Sequence, residues 1–333
     1  MTALLGLGVY VNSETVPFYL RAIGIDIQEP QSISAYHTPF PNNTIWLDDL
    51  NSRYDSSNRI IVFCSELHES TVAALIALDR PRVELYICGV INHEFKYAQV
   101  HRWMDWFHTS VTFYRENPDA LARLNPFSVK PLHFDMLLGC QRPNRDYVHN
   151  YVVDQDLKSK VLLTYFRFWN MDLRQSDQFI PEEAGLEYIE APNGTVHQVR
   201  YYGRRMCLSQ VIPIEIYNRT AYTLVTETNG VNQFNFYTEK IVKPILAQRL
   251  FVAIAGRHYL RNLRAMGFQT FDGIIDESYD EIADDWERYA QAMEQVKRLC
   301  QMPQEEILSA IRPRVEHNLK IMLTQDWYYN PNT

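Results

Sequence analysis

HFDMLLGCQRPNRD, residues 133–146, contains an apolar run, a short polar turn and the start of an amphipathic stretch. The run predicts a strand at His133–Leu138, and the spacing beyond it predicts a helix from about Asn144 to Val153. A strand that leads directly into a helix is the unit from which parallel sheets are built. This stretch therefore predicts an α/β fold.

The chain beyond this stretch repeats the alternation. Further strands are predicted at Lys160–Phe166, Tyr222–Thr226 and Leu250–Ala255, and a helix is predicted to open at Thr238. Between them, residues 169–205 are irregular and contain the hairpin signal Asn193-Gly194, which indicates an insertion.

The first third shows the same kind of pattern. Strands are predicted at Leu4–Val11, Arg59–Cys64, Val83–Val90 and Ser110–Tyr114, and helices at Thr15–Ile23, Ser70–Leu78, Tyr97–Phe107 and Pro118–Leu124. This alternation predicts a Rossmann-like, mostly parallel sheet.

A length of 333 residues suits two domains. The non-periodic stretch Pro126–Pro131 marks the boundary between a domain at 1–128 and one at 129–303. Residues 304–333 form a last helical pattern that contains Pro313. A proline there predicts a kink, which could carry the chain back to the N-terminal domain.

Composition excludes several classes of function. The net charge of −8 disfavours nucleic acid as a partner, and no glycine-rich phosphate loop is present. Five scattered cysteines indicate neither a metal cluster nor a disulfide framework. The start lacks a basic leader and no apolar run is long enough for a membrane span, so we expect a cytoplasmic protein. No sequence pattern indicates a metal or other cofactor, and we expect none.

Without a glycine-rich loop, a bound phosphate must meet helix N-termini and basic side chains. Residues 139–146 offer both, with Asn144 as the predicted N-cap. Arg142 and Arg145 could each form bidentate hydrogen bonds to phosphate oxygens. The alternative is that both arginines are solvated loop residues.

A second place of this kind is the predicted helix start at Thr238. Glu239 can accept hydrogen bonds from ribose hydroxyls, and Lys240 can meet a phosphate. The alternative is dipole complementarity for Glu239 and a solvated Lys240.

The runs LVTET (224–228) and FYTEKIVKP (236–244), followed by LFV (250–252), resemble the donor-site motif of the α1,3-fucosyltransferases and related exostosin-like glycosyltransferases. The runs at 260–264, 267–272 and 276–280 resemble a phage-encoded subgroup. The resemblance covers roughly residues 132–300. It implies two Rossmann-like domains that face each other across a cleft, the GT-B arrangement.

The resemblance also implies an activity, namely metal-independent transfer of a sugar from a nucleotide-sugar with inversion. On the matching positions, Glu239 would bind the donor ribose, and Lys240 and Arg145 the diphosphate. The whole predicted donor site comprises Arg142, Arg145, Glu227, Tyr237, Thr238, Glu239 and Lys240. A phage origin would place the protein in the host cytoplasm.

The transfer needs a base that deprotonates the acceptor hydroxyl. Ligands gather at the carboxyl ends of parallel strands, so the predicted catalytic residues are Glu66 and His68, after the strand that ends at Cys64. The loop Asn92–Glu94 is the second choice. The alternative is that the helix that follows uses Glu69 simply as a charge at its N-terminus.

Two other functions stay open. The first is a non-catalytic protein that binds nucleotide-sugars or a partner, and the second is a glycosyltransferase whose acceptor is a hydroxymethylated base of phage DNA. The preferred partners are a nucleotide-diphosphate sugar and a glycan or other hydroxyl acceptor. Asp154-Gln155-Asp156 spells a D-x-D metal motif, but we expect it in a solvated loop.

Overall fold

The computed structural model describes residues 2–7, 33–38, 59–64, 67–165, 185–190, 196–230 and 232–327. Their contacts group them into two compact units. The first unit contains the described residues up to His108 together with 232–237 and 326–327. The second contains those from 109 to 230 and from 238 to 325.

The first unit is built on a five-stranded parallel sheet with the order β2-β1-β3-β4-β6. In chain order its elements are β1 (Thr2–Leu7), β2 (Ile33–Thr38), β3 (Arg59–Cys64), α1 (Glu69–Ala77), β4 (Val83–Cys88), β5 (Val90–Ile91) and β6 (Gln99–Trp103). The central strand β3 is buried at five of its six positions, as expected for a strand with both faces covered. The short β5 pairs with β13 (Phe234–Asn235) in a separate antiparallel ribbon.

Two predictions for this part of the chain were wrong. The helix predicted at Tyr97–Phe107 begins instead as the edge strand β6, and the strand predicted at Ser110–Tyr114 lies inside helix α2, Asp105–Glu116. The buried residues Phe107, Val111 and Tyr114 are spaced by four and three positions, which is helical spacing. A short apolar run does not distinguish the two structures by itself.

The second unit is built on a four-stranded parallel sheet with the order β14-β12-β7-β8. Its sheet and helices are β7 (Leu132–Leu138), α3 (Pro143–Asp154), β8 (Val161–Tyr165), α4 (Ile214–Arg219), β12 (Thr220–Thr226), α5 (Glu239–Leu246), β14 (Phe251–Ile254), α6 (Tyr259–Ala265), α7 (Asp285–Leu299) and α8 (Gln304–Thr324). Strand β12 is buried at all seven positions, so it forms the middle of this core. Both units are therefore mixed α/β structures with parallel sheets, as predicted.

The predicted insertion contains a separate antiparallel sheet. Its strands are β9 (Leu186–Glu190), β10 (Val196–Tyr201) and β11 (Arg204–Cys207), with β10 in the middle. Tyr202 and Gly203, which join β10 to β11, both have positive φ, as in the two-residue hairpin turn that fits strand twist. The predicted Asn193-Gly194 turn lies outside the described residues.

The contact-based units differ in detail from the predicted domains. Residues 109–128 belong to the second unit, so the division falls within α2 rather than at Pro126–Pro131. Helix α8 belongs to the second unit and continues through Pro313 without ending there. Within the described ranges, none of the helices has the length and apolar character needed to cross a membrane.

Candidate functional site

The candidate site lies at the carboxyl edge of the second unit's sheet, between β7 and β12. From β7 the chain passes through α3 to β8 on one side, whereas β12 and β14 lie on the other side. The strand order therefore reverses between β7 and β12. In open α/β sheets, such a reversal opens a crevice outside the strand ends, and this crevice is where ligands bind.

The turn after β7 brings two arginines to this crevice. Arg142 is the N-cap of α3 and Pro143 is the first helical residue. The prediction that Asn144 is the N-cap was wrong, because proline lacks an amide hydrogen and its fixed φ suits the first helical position. Asn144 and Arg145 therefore lie within the first turn of the helix.

Arg145 is a buried cation without an acidic partner. Its side chain is folded against the turn, where Nη1 donates to the Cys140 carbonyl at 2.7 Å and contacts the Cys140 sulfur at 3.3 Å. The residue is only 3% exposed, and its Nε has no hydrogen-bond partner. Across the described part of the chain, no carboxylate lies within ion-pair distance of this guanidinium. Gly139 leaves room for it, since a Cβ there would lie 3.2 Å from Nη1.

The electrostatics of this turn favour an anion. Burial lowers the pKa of Arg145, and the nearby Arg142 guanidinium lowers it further, whereas Glu227 opposes the shift. Two guanidinium groups that repel each other lie at the positive end of a helix. A phosphate there would relieve the repulsion and provide the missing counter-charge.

Asn144 connects the two strand ends that border the crevice. Its Oδ1 accepts the Arg145 amide at 3.1 Å, and its Nδ2 donates to the Glu227 carbonyl at 3.1 Å. Glu227 follows β12 directly and is 1% exposed. This side chain therefore fixes the start of α3 against the end of β12.

The Glu227 carboxylate is surrounded by donors from the protein. Oε2 accepts the Thr238 hydroxyl at 2.8 Å, and Oε1 accepts the Tyr259 hydroxyl at 2.8 Å and the Thr238 amide at 3.3 Å. Burial raises its pKa, while Lys240 and these donors oppose the rise. Glu227 thus positions the N-termini of α5 and α6 rather than offering a free oxygen to a ligand.

Thr238 is the N-cap of α5, as predicted, and its hydroxyl accepts the Lys240 amide at 3.3 Å. The Lys240 side chain is 22% exposed and curls back over the cap. Its ammonium lies 3.0 Å from a Glu239 carboxylate oxygen, 3.2 Å from the Thr238 hydroxyl and 3.4 Å from the Thr228 hydroxyl. Lys240 is therefore held at the strand end but remains accessible.

Glu239 lies between two lysines. Burial raises the pKa of its carboxyl, but Lys240, Lys243 and local hydrogen bonds together hold that pKa below its ordinary value. The pKa of Lys243, one turn along α5, is lowered by burial and by Lys240, while Glu239 opposes the shift. Glu239 is thus an ionised acceptor in a basic cluster.

Of the predicted site residues in the first unit, the structure describes His68 and Tyr237. Glu66 lies outside the described residues. His68 follows β3 and is the N-cap of α1, where its backbone amide donates to the Thr71 hydroxyl at 2.8 Å. Tyr237 is fully buried and packs edge-on against Phe107, with ring centroids 6.2 Å apart. His68 therefore lies where a ligand-binding loop belongs, whereas Tyr237 is part of the core.

The D-x-D sequence is solvated, as expected. Asp154 ends α3, Asp156 adopts a left-handed φ of 52°, and both are exposed. Within the described ranges, no group of three or more histidine, cysteine or acidic side chains is arranged to hold a metal ion.

Three residues of the site were not predicted from sequence. Asn144 was misread as a cap, Tyr259 lies 32 positions from its partner Glu227, and Lys243 was not considered. Only Lys243 carried a local signal, because it lies four residues after Glu239 and therefore shares a helix face with it.

The structure brings together Arg142, Arg145, Glu227, Thr238, Glu239 and Lys240 around the ends of β7 and β12. Comparison with known proteins found no matching family model, no similar curated protein and no similar solved structure. The chemistry of the site is therefore inferred from its own geometry.

Proposed function

We propose that this protein is an inverting glycosyltransferase whose second unit binds the diphosphate of a nucleotide-sugar at the carboxyl edge of its sheet. The observation that carries the proposal is the buried, acid-free guanidinium of Arg145 at the point where the strand order reverses. A buried cation without a counter-charge is costly, so proteins keep one mainly where a ligand supplies the charge.

The surroundings of Arg145 support a diphosphate in particular. Arg142 adds a second guanidinium on the same turn, and the N-terminus of α3 adds the positive end of a helix dipole. Lys240 adds a point charge from the end of the neighbouring strand. A chain of two phosphates has enough charge and length to use donors from both strands.

The rest of the donor has matching groups. In this assignment, the ionised Glu239 accepts hydrogen bonds from ribose hydroxyls, as the resemblance of FYTEKIVKP to the fucosyltransferase and exostosin-like motif implies. Glu227 and Thr238 hold the N-terminus of α5 in place. They therefore position Glu239 and Lys240 for the ligand and do not contact it themselves. The same resemblance supports the GT-B arrangement and a metal-independent reaction as parts of the proposal.

The transfer is a single displacement. The acceptor hydroxyl oxygen forms a bond to the anomeric carbon while the bond from that carbon to the diphosphate oxygen breaks. The nucleoside diphosphate leaves with the electron pair, and the cations of the site offset the charge that develops on it. A base takes the acceptor proton, and Glu66 and His68 are the candidates.

The decisive test is calorimetry with a panel of UDP-, GDP-, ADP- and dTDP-sugars, followed by mass spectrometry of the products. We expect one nucleotide class to bind and the Arg145→Ala variant to bind it about ten- to a hundredfold more weakly, the loss of charged hydrogen bonds. Lys240→Ala should weaken binding less, because Lys240 already has an acidic neighbour.

The exposed residues Arg200 and Lys158 provide matched controls, since Arg200→Ala and Lys158→Ala remove the same charges on β10 and just before β8, outside the carboxyl edge that forms the site. Absence of binding across the panel, or equal binding by Arg145→Ala, would refute the proposal. Binding without transfer or donor hydrolysis would instead support the non-catalytic alternative. Transfer to hydroxymethylated DNA alone would identify the phage-DNA alternative.

A further inference from the structure

A second concave surface runs along α3, from Pro143 at its first turn to Gln155 just beyond its end. It is a groove of about 450 Å³, bordered by α3 and by Trp286 near the start of α7. This volume is within the range of small-ligand sites. The residues that matter for its chemistry are Asp146, Tyr147, Asn150, Tyr151, Asp154 and Trp286.

Three aromatic rings form one wall of the groove. Tyr147 and Tyr151 are one helical turn apart, with ring centroids separated by 6.3 Å, and Trp286 lies 5.8 Å from Tyr147. Trp286 is 53% exposed, although it is among the most costly side chains to leave in water. An exposed cluster of this kind commonly marks a binding surface.

The Trp286 ring packs against a buried neighbour that fixes its position. The indole packs edge-on against Tyr289 at a centroid distance of 5.9 Å, and Tyr289 is buried. The Tyr289 hydroxyl in turn donates to the Gly230 carbonyl at 3.0 Å. The exposed indole is therefore held in place by the core.

The polar groups of the groove are also held in fixed orientations. The Asp146 carboxylate accepts hydrogen bonds from Gln141 and from the Tyr165 hydroxyl. The Tyr151 hydroxyl donates to Glu294 at 2.6 Å. At the far end, Gln155 accepts the Lys297 ammonium at 2.8 Å, which leaves its amide N–H groups to donate to a ligand.

The charges of the groove limit its ligand. Asp146 and Asp154 line it and would repel a phosphate or another anion. Lys297 at its end partly offsets these acidic charges. A neutral molecule with apolar faces and hydroxyl edges suits both the aromatic and the polar groups, because aromatic rings pack against its C–H faces while carboxylates and amides bind its hydroxyls.

We propose that this groove binds neutral hexopyranosyl units of an oligosaccharide. The site goes beyond the proposed transfer reaction and does not depend on it, since none of its aromatic residues belongs to the diphosphate crevice. It would hold a sugar chain on the second unit whether or not a nucleotide is present.

The test is calorimetry on the full-length protein, without nucleotide, against maltohexaose, cellohexaose and mannohexaose. Hexagalacturonate and spermine represent anionic and cationic ligands. We expect at least one neutral oligosaccharide to bind, with roughly tenfold weaker binding in the Trp286→Ala variant. Trp286→Phe, which keeps an aromatic face, should restore most of the affinity.

Tyr97→Ala is the matched control, because Tyr97 is an equally exposed aromatic residue in the first unit. The thermal unfolding of Trp286→Ala should match that of the native protein, which excludes misfolding as the cause of lost binding. The proposal is overturned if no neutral oligosaccharide binds at millimolar concentration. It is equally overturned if Trp286→Ala binds as well as the native protein, or if only spermine or hexagalacturonate binds.

Discussion

The side-chain amide of Asn144 donates to the backbone carbonyl of Glu227, 83 residues further along the chain, at 3.1 Å and thereby joins the segments that follow two strand ends. One partner lies in the first turn of α3, beside the buried guanidinium of Arg145. The other carries the carboxylate that anchors the cap of α5. Through this hydrogen bond, the turn that carries Arg145 and the start of α5 that carries Lys240 form one site.

Asn144→Ala should therefore destabilise the second unit by about 1–3 kcal/mol, since it leaves the buried Glu227 carbonyl without its donor. Denaturant unfolding measures this change. Asn150→Ala is the control, because Asn150 is exposed on the same helix. Equal stability of the two variants would show that the bond between the strand ends contributes nothing.

Arg145→Met, in contrast, should not lower the stability of the ligand-free protein. Replacement of a buried cation that lacks an acidic partner by an apolar side chain is often neutral or stabilising. We expect an unchanged or higher Tm together with loss of nucleotide binding. A marked fall in Tm would mean that Arg145 is kept for its bond to the Cys140 carbonyl and not for a ligand.

Gly139→Ala tests the room that the turn leaves for this guanidinium. The added Cβ would lie 3.2 Å from Arg145 Nη1, so the guanidinium must shift by a few tenths of an ångström. We expect nucleotide affinity to fall while stability changes by less than about 1 kcal/mol. Parallel calorimetry and thermal unfolding measure both, and unchanged affinity would contradict the assigned position of the guanidinium.

The ion pair between Asp135 and Arg249 should dominate the stability of the same sheet. The two groups are 2.7 Å apart and almost completely buried. Arg249→Met alone leaves a buried carboxylate without its cation and should cost about 3–5 kcal/mol. The double variant Asp135→Leu with Arg249→Met should recover much of that loss in denaturant unfolding, whereas additive losses would argue against coupling between the two residues.

Asp79 should make the loop at residues 96–98 sensitive to acid. Its carboxylate accepts the amides of Lys96, Tyr97 and Ala98, each at 2.8 Å. The bond from Ala98, with that from Lys96, lowers its pKa. A lowered folded pKa means that the stabilisation is present above the ordinary value of about 3.9 and is lost as the pH falls through the folded value.

NMR measures this effect through the amide shifts of Lys96 and Ala98 during titration from about pH 6 to about pH 2. We expect both amides to report one transition below the ordinary aspartate range. Asp79→Asn should abolish that transition. If the amides titrate identically in the variant, the loop is not held by this carboxylate.

Local sequence patterns were sufficient for much of the fold. The apolar run at His133–Leu138 predicted β7 to within one residue, and Arg59–Cys64 predicted β3 without error. Thr238 was predicted as a helix start because threonine caps are a local property of the backbone. The failure at Ser110–Tyr114 came from a run of five residues, which is too short to distinguish helical from strand periodicity.

The candidate site was predicted as two separate pieces. Arg145 and Lys240 were identified from their positions near helix starts, but the burial of Arg145 was not, because a turn of this composition is usually solvated. Lys243 and Tyr259 were missed. Lys243 lies four residues after Glu239 and therefore carried a local signal, whereas Tyr259 bonds to Glu227, which is 32 positions away, and a partner that distant leaves no local pattern.

The sequence by itself determined the α/β character of the chain, its main strands and the charges at two helix starts, because periodicity and capping act over a few residues. Only the tertiary structure decided that β7 and β12 are neighbours and that Arg145 is buried without an acid. It also decided that Asn144 reaches Glu227. The reason is that strand order and burial result from hydrogen bonds and packing between segments far apart in the chain, whose energies no local pattern contains.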